Sequence, residues 1–311
     1  VIDDDLHVLR RPHRRVKRLL AVLVACVVIA AVVIPLAWTN GDEGLPMPVP
    51  EPAEPPTLIA LGDSYTSGQG VIPYQEDSGE CFRSSAAYPA LVLDKLGIEG
   101  RNVACGGATT AALTSSYANE PPQLNAIGDA DIVVMSFGGN DVRGLQTLAT
   151  NPTSAISPQF VENFETMELP TLATKLDTSY AAIKQQLEPG TEVFALGYPN
   201  LFPPNRAAYQ YCDGLQLPLG PAAYTLPLEN LHRLNAGLNN TVRDAANRAG
   251  FTFVDVALAF VTHDICAEFR LIWGTVDPPV REGAMHPSGD GHRVMSETVA
   301  AAIRSKVDNL P

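Results

Sequence analysis

The order of apolar and polar residues divides the chain into three unequal stretches. Residues 19–38 form a run of 20 residues without one charged side chain. A helix needs about 20 apolar residues to cross the hydrocarbon core of a bilayer, so this run predicts a membrane span. Residues 39–56 follow, with prolines at 46, 48, 50, 52, 55 and 56. That spacing blocks a helix and favours an extended, semi-rigid linker. From Thr57 the pattern turns globular. Strand-like runs fall at 58–61, 102–105, 132–137, 192–196 and 251–256. Between them the apolar positions take helical spacing at 88–96, 169–187 and 228–246, and again at 288–303 behind Ser288 as a candidate N-cap. Strands alternating with helices predict a parallel sheet covered on both faces. Residues 57–311 are therefore read as one α/β domain with a sheet of about five strands.

Charge sharpens the division. The net formal charge is −13, which disfavours a nucleic-acid partner, since phosphates require a basic surface. Residues 1–18 nevertheless carry six bases against three acids, a net +3, which leaves −16 for the remainder. A basic cluster before an apolar run predicts a cytoplasmic tail, a single-pass anchor at 19–38 and an extracytoplasmic domain. Two alternatives stay open for the apolar run. A cleavable signal peptide usually has a shorter apolar core and a small-x-small cleavage site. The stretch Leu23-Val24-Ala25-Cys26 looks like a lipid-attachment signal, but the apolar run continues beyond Cys26. If the segment is cleaved, the domain is secreted.

The candidate chemistry lies where an open parallel sheet binds ligands, beyond the carboxyl ends of its strands. Gly62-Asp63-Ser64-Tyr65 follows the first strand, Cys105-Gly106-Gly107-Ala108 the second and Gly138-Gly139-Asn140-Asp141 the third. Met285-His286-Pro287-Ser288 precedes the last helix. Taken singly, each is an ordinary turn or helix start. The glycine loops also lack the Gly-Lys-Ser/Thr ending of a nucleotide site. Together they supply a hydroxyl nucleophile, backbone and amide donors and an imidazole, the parts needed for acyl transfer through a tetrahedral oxyanion.

With these four blocks in this order, the chain resembles the SGNH (GDSL) hydrolases, and within them the secreted actinobacterial esterases and lipases. Cys81-Phe82-Arg83-Ser84, Gly197-Tyr198-Pro199 and His263-Asp264-Ile265-Cys266 share the resemblance. It implies a three-layer α/β/α flavodoxin-like fold and a serine esterase or lipase that needs no cofactor and no metal. Ser64 would be the nucleophile and His286 the general base. The Ser64 and Gly107 N–H groups and the Asn140 amide would form the oxyanion hole. Asp63 and Asp141 would fix loops rather than react. The superfamily usually has Asp three residues before the histidine, where this chain has Gly283. The branch resembled often uses a backbone carbonyl instead, so the Gly283 carbonyl is the expected orienter of His286, with Glu282 the minority option. The resemblance also implies disulfides Cys81–Cys105 and Cys212–Cys266. Four cysteines beyond the span fit an oxidising compartment.

The other histidines have plainer roles. His7 and His13 precede the span, His232 and His292 fall within helical patterns, and His263 is read as structural before cleft-lining. No Cys/His spacing suggests zinc. The expected partner is an ester substrate, either a lipid or an acylated small molecule or glycan, and the expected state is a monomer. Segments 144–168 and 205–227 are the expected lids or cleft walls. Rival functions are an acyltransferase or deacetylase of envelope glycans using the same Ser64 and His286, and a noncatalytic envelope-binding module.

Overall fold

The computed structural model describes residues 54–144, 147, 152–155, 157–205, 212, 229–274, 281–308 and 310. The expected cytoplasmic tail and span, nearly all of the linker and most of 205–227 lie outside them. Among the described residues no helix is long and apolar enough to cross a membrane.

Five strands form one parallel sheet: β1 (Thr57–Gly62), β2 (Glu99–Asn102), β3 (Ile132–Ser136), β4 (Glu192–Leu196) and β5 (Thr252–Val254). Their order is β2-β1-β3-β4-β5, a flavodoxin-like arrangement. β1 and β3 are buried almost throughout, as central strands covered on both faces must be. β2 corrects the expected 102–105. Its register, Thr57 opposite Glu99 and Ala60 opposite Asn102, draws the polar stretch Glu-Gly-Arg-Asn into the exposed edge. The apolar run that suggested the strand becomes the loop beyond it. Two more ladder bonds, Val103 N to Ala60 O at 2.9 Å and Cys105 N to Gly62 O at 3.0 Å, lead that loop towards the end of β1.

Four helices lie on the expected segments, α2 (Tyr88–Leu96), α4 (Leu169–Lys184), α5 (Glu229–Ala249) and α6 (Gly289–Arg304); the short α1 (Ser64–Ser67) and α3 (Pro158–Asn163), and a single turn at Pro152–Ala155, were not expected. In α4 the buried residues are Leu172, Leu176, Ser179, Tyr180 and Ile183, one helical stripe. In α5 the stripe includes Leu231, Leu234, Leu238, Val242 and Ala245. α4 packs on α5 and α2 on α6, giving the two helical layers around the sheet. Ser288 caps α6, its hydroxyl accepting the Gly291 N–H at 3.2 Å. Both expected disulfides are present, Cys81–Cys105 and Cys212–Cys266. The first joins the loop before α2 to the loop after β2.

Candidate active site

Ser64 opens α1 directly after β1, so the chain must turn sharply between them. Gly62 makes the turn possible. Its φ is +140°, and a Cβ there would lie 2.6 Å from the Ser136 carbonyl oxygen. Asp63 caps α1, accepting the Tyr65 N–H at 3.0 Å, and Gly68 ends the single turn in the left-handed region. Ser64 keeps 5% of its surface exposed. Among the described residues its backbone N–H donates to no protein acceptor.

A buried network ties this turn to the next loop. Asp63 accepts the Ser136 hydroxyl at 3.0 Å and the Tyr198 hydroxyl at 2.5 Å. The Tyr198 oxygen in turn accepts the Gly139 N–H at 2.8 Å. The Ser64 turn and the Asn140 loop are thus joined through one phenol. Burial drives the Asp63 carboxyl up to about 6, against the hydrogen bonds from Tyr198, Tyr65 and Ser136 that lower it. Burial likewise raises the Tyr198 phenol well above its ordinary value, reinforced by the Asp63 charge.

The loops carrying Gly107 and Asn140 are joined to each other. Asn140 donates from Nδ2 to the Ala108 carbonyl at 3.0 Å, which commits one of its two amide hydrogens. Asp141 accepts both the backbone N–H and the hydroxyl of Thr110, at 2.9 and 2.8 Å. Lys175 faces the same carboxylate at 3.3 Å. Gly107 sits between these contacts at φ +77°, with no protein acceptor for its N–H among the described residues. The three expected oxyanion donors therefore each retain an uncommitted N–H.

His286 lies on a loop with no strand of the sheet behind it among the described residues. Its carbonyl accepts the Trp273 N–H at 2.9 Å, and the Met285 N–H reaches the Trp273 carbonyl at 3.1 Å. Tyr65 adds a side-chain hold: its hydroxyl donates to the Met285 carbonyl at 2.7 Å, and its ring centroid lies 5.0 Å from that of His286. Tyr65 is the immediate neighbour of Ser64, so this contact brings the Ser64 turn and the histidine loop together. Met285 has φ +63°, a conformation costing a non-glycine residue about 1–3 kcal/mol that the surrounding bonds must offset.

Two main-chain carbonyls act on the imidazole, the expected Gly283 and its neighbour Ala284, which makes the closer contact. Nδ1 lies 2.9 Å from the Ala284 carbonyl oxygen, while Gly283 offers its carbonyl to the His286 backbone N–H at 3.0 Å. The 281–283 turn feeding a tight loop sets which carbonyl faces the ring, and side-chain identities do not reveal that. Glu282 is engaged elsewhere: its carboxylate accepts the Tyr74 hydroxyl at 3.1 Å and its carbonyl the Gln69 amide at 2.8 Å. Because a carbonyl only accepts, Nδ1 carries the proton and Nε2 is left as an acceptor. Burial pushes the imidazole down to about 4, outweighing the Ala284 and Gly283 carbonyls that raise it.

The remaining histidines take structural places. His292 is fully buried, stacks on Tyr88 and accepts the Tyr88 N–H at 3.2 Å. His263 Nδ1 faces the Phe269 carbonyl at 2.8 Å and His232 Nδ1 the Phe202 carbonyl at 3.2 Å. His7 and His13 lie outside the described residues. No cluster of three metal-ligating side chains occurs among the described residues. Beside the Asn140 loop lies an apolar cavity lined by Val142, Phe164, Leu201, Phe202, Leu231 and Leu238, with Tyr198 in its wall. Sequence reasoning assigned no role to Tyr65, Tyr198 or Ala284. Tyr198 stood in a block that carried the resemblance, but only the fold shows its hydroxyl between Asp63 and Gly139.

A serine turn, two glycine-bearing loops at strand ends and a histidine before the last helix define a hydrolase of the SGNH type. Residues 60–294 match the GDSL-like Lipase/Acylhydrolase family, and the chain belongs to it. It is similar to Lipase 2 of Streptomyces coelicolor, at 33% identity over 260 residues, covering 78% of this chain and 84% of that protein. Among solved structures, the extracellular lipase from Streptomyces rimosus gives a TM-score of 0.64 at 25% identity, covering 81% of this chain and 100% of the lipase. Phospholipase A1 from Streptomyces albidoflavus shares the fold, with a TM-score of 0.64 at 24% identity over 82% of this chain and 100% of that one. The protein is a carboxylic ester hydrolase related to the actinobacterial GDSL esterases and lipases.

Proposed function

We propose that the protein is an extracytoplasmic serine esterase or lipase working through a Ser64–His286 dyad, without a carboxylate third member. The observation that carries this reading is the His286 tautomer: Nδ1 is committed to a main-chain carbonyl, so Nε2 is free to take a proton. Ser64 Oγ attacks the ester carbonyl carbon as His286 Nε2 takes its proton. The oxyanion formed rests on the Ser64 and Gly107 N–H groups and the Asn140 amide. Collapse breaks the bond to the alcohol oxygen, and His286 returns the proton to the departing alcohol. Water then repeats the sequence on the acyl-enzyme, releasing the acid and restoring Ser64. Asp63 and Asp141 hold the turn and the two loops in register.

Residues 19–38 tether the domain to the cytoplasmic membrane from outside, with 39–56 as the linker. The basic N-terminal cluster and the uncharged 20-residue run support that placement.

The test is hydrolysis of p-nitrophenyl esters from acetate to decanoate by the purified full-length chain, beside Ser64→Ala and His286→Ala. Each substitution is expected to lower kcat by a factor on the order of 10⁴ or more. Retention of hydrolysis by Ser64→Ala would remove the proposed nucleophile. Acyl transfer to an added sugar hydroxyl in preference to water would move the assignment to a transferase.

A further inference from the structure

The peptide joining Gly106 to Gly107 has two working ends. Its N–H belongs to Gly107 and is the proposed oxyanion donor; its C=O belongs to Gly106. Resonance keeps the unit planar, so whatever fixes the carbonyl also fixes the N–H across the plane. In this chain the carbonyl has a side-chain partner: the Tyr117 hydroxyl donates to the Gly106 oxygen at 3.2 Å. A hydrogen bond on the carbonyl also polarises the peptide, making its N–H a better donor.

We propose that Tyr117 is a positioning residue for the oxyanion hole, holding the 106–107 peptide with the Gly107 N–H available to the developing oxyanion. The inference rests on the Ser64 esterase reading above. Three independent features place the phenol there. A Cβ at Gly107 would lie 2.6 Å from the Tyr117 hydroxyl oxygen, so the side chain reaches the peptide only because residue 107 is glycine. Tyr117 stands on a tight two-residue turn, with Ala118 and Asn119 both at positive φ. Both bonds of the Tyr117–Glu120 pair are made, at 3.1 and 2.9 Å. The turn is anchored in turn by Glu120, which meets the nearly buried Arg83 at 2.9 Å.

Arg83 lies two residues from Cys81, whose carbonyl accepts the Gly106 N–H at 3.0 Å and whose sulfur is bonded to Cys105. Residue 106 is therefore held from both sides by one assembly: its N–H by the 81–83 loop, its C=O by the turn that loop anchors. Tyr117 is also 39% exposed. A large aromatic ring kept partly in water, on a turn that needs left-handed backbone at two non-glycine residues, contributes little to the core.

The experiment compares the purified full-length wild type with Tyr117→Phe, which removes only the hydroxyl, and with Ser64→Ala as the control for the underlying reading. kcat and KM for p-nitrophenyl acetate are measured together with the Ki of an alkylboronic acid, whose serine adduct carries a tetrahedral oxyanion. Thermal unfolding is followed in parallel. For Tyr117→Phe, kcat is expected to fall by roughly 3- to 10-fold, with KM within about twofold of wild type. The boronate Ki should rise by a factor matching the loss in kcat/KM, at an unchanged unfolding midpoint. Wild-type kcat and Ki in Tyr117→Phe, with Ser64→Ala inactive, would overturn the role of Tyr117 and leave the esterase reading intact. A rise in KM alone, with boronate affinity unchanged, would also overturn it, since the ring would then be a substrate contact. Full hydrolysis by Ser64→Ala would overturn both.

Discussion

The two sides of this active site are built differently. Ser64, Gly107 and Asn140 stand on loops that leave β1, β2 and β3, and those loops are joined by side chains. Asp63, Ser136 and Tyr198 link the first to the third, and Asp141, Thr110 and Asn140 link the second to the third. His286 stands on a loop behind which, among the described residues, no strand of the sheet ends. It is held mainly by main-chain bonds, to Trp273, Gly283 and Ala284, with Tyr65 as the side-chain contribution. The Ser64 side is fixed by specific side-chain chemistry, whereas the His286 side is fixed by backbone shape. Substitutions should therefore cost most among the side chains of the first and least among those beside the second.

The largest expected difference comes from the oxyanion loops. Asn140→Ala removes the amide donor and should lower kcat by about 10²–10³, with KM changed far less. Steady-state kinetics on p-nitrophenyl butyrate checks this; a loss confined to KM would place Asn140 on the substrate instead. A middle-sized effect is expected at Tyr65→Phe, which frees the Met285 carbonyl beside His286 but keeps the ring against the imidazole. There kcat should fall about tenfold. The unfolding midpoint should also drop, because a buried acceptor loses its partner. An unchanged kcat would show that backbone bonds alone suffice to hold His286. The smallest effect is expected at Glu282→Gln. Its carboxylate accepts the Tyr74 hydroxyl, a bond an amide oxygen can also accept. Activity should stay within about twofold of wild type. A fall of several orders of magnitude would establish Glu282 as a third triad member.

The same contrast explains what could be read from sequence. Central β1 and β3 announce themselves by apolar runs, and the loops after them by glycine next to Ser64 or Asn140. β2 was displaced by three residues because an edge strand can be polar, and pairing with β1 decides its register. The apolar residues around Cys105 belonged to the loop instead. On the histidine side, His286 itself was legible from its place before the helix that Ser288 caps. Its orienter was not, since a carbonyl exists at every residue and only φ and ψ decide which one faces Nδ1. Tyr65 and Tyr198 escaped for a related reason. A tyrosine beside a motif looks like core, and both are buried, yet each spends its hydroxyl on a loop distant in sequence, at Met285 and Gly139.

In the proposed mechanism a neutral imidazole, oriented by main-chain carbonyls and its pKa lowered by burial, serves as the base toward Ser64. The pH dependence of kcat/KM in the free wild-type enzyme tests it most directly. His286 must be unprotonated to accept the Ser64 proton, so activity is lost as pH falls through its pKa. With that pKa depressed from 6.5 to about 4, activity should persist through pH 6 and 5 and show its acid limb near 4. An acid limb at or above 6.5 would contradict the account, because it would require a negative charge, or a far more solvated ring, beside His286.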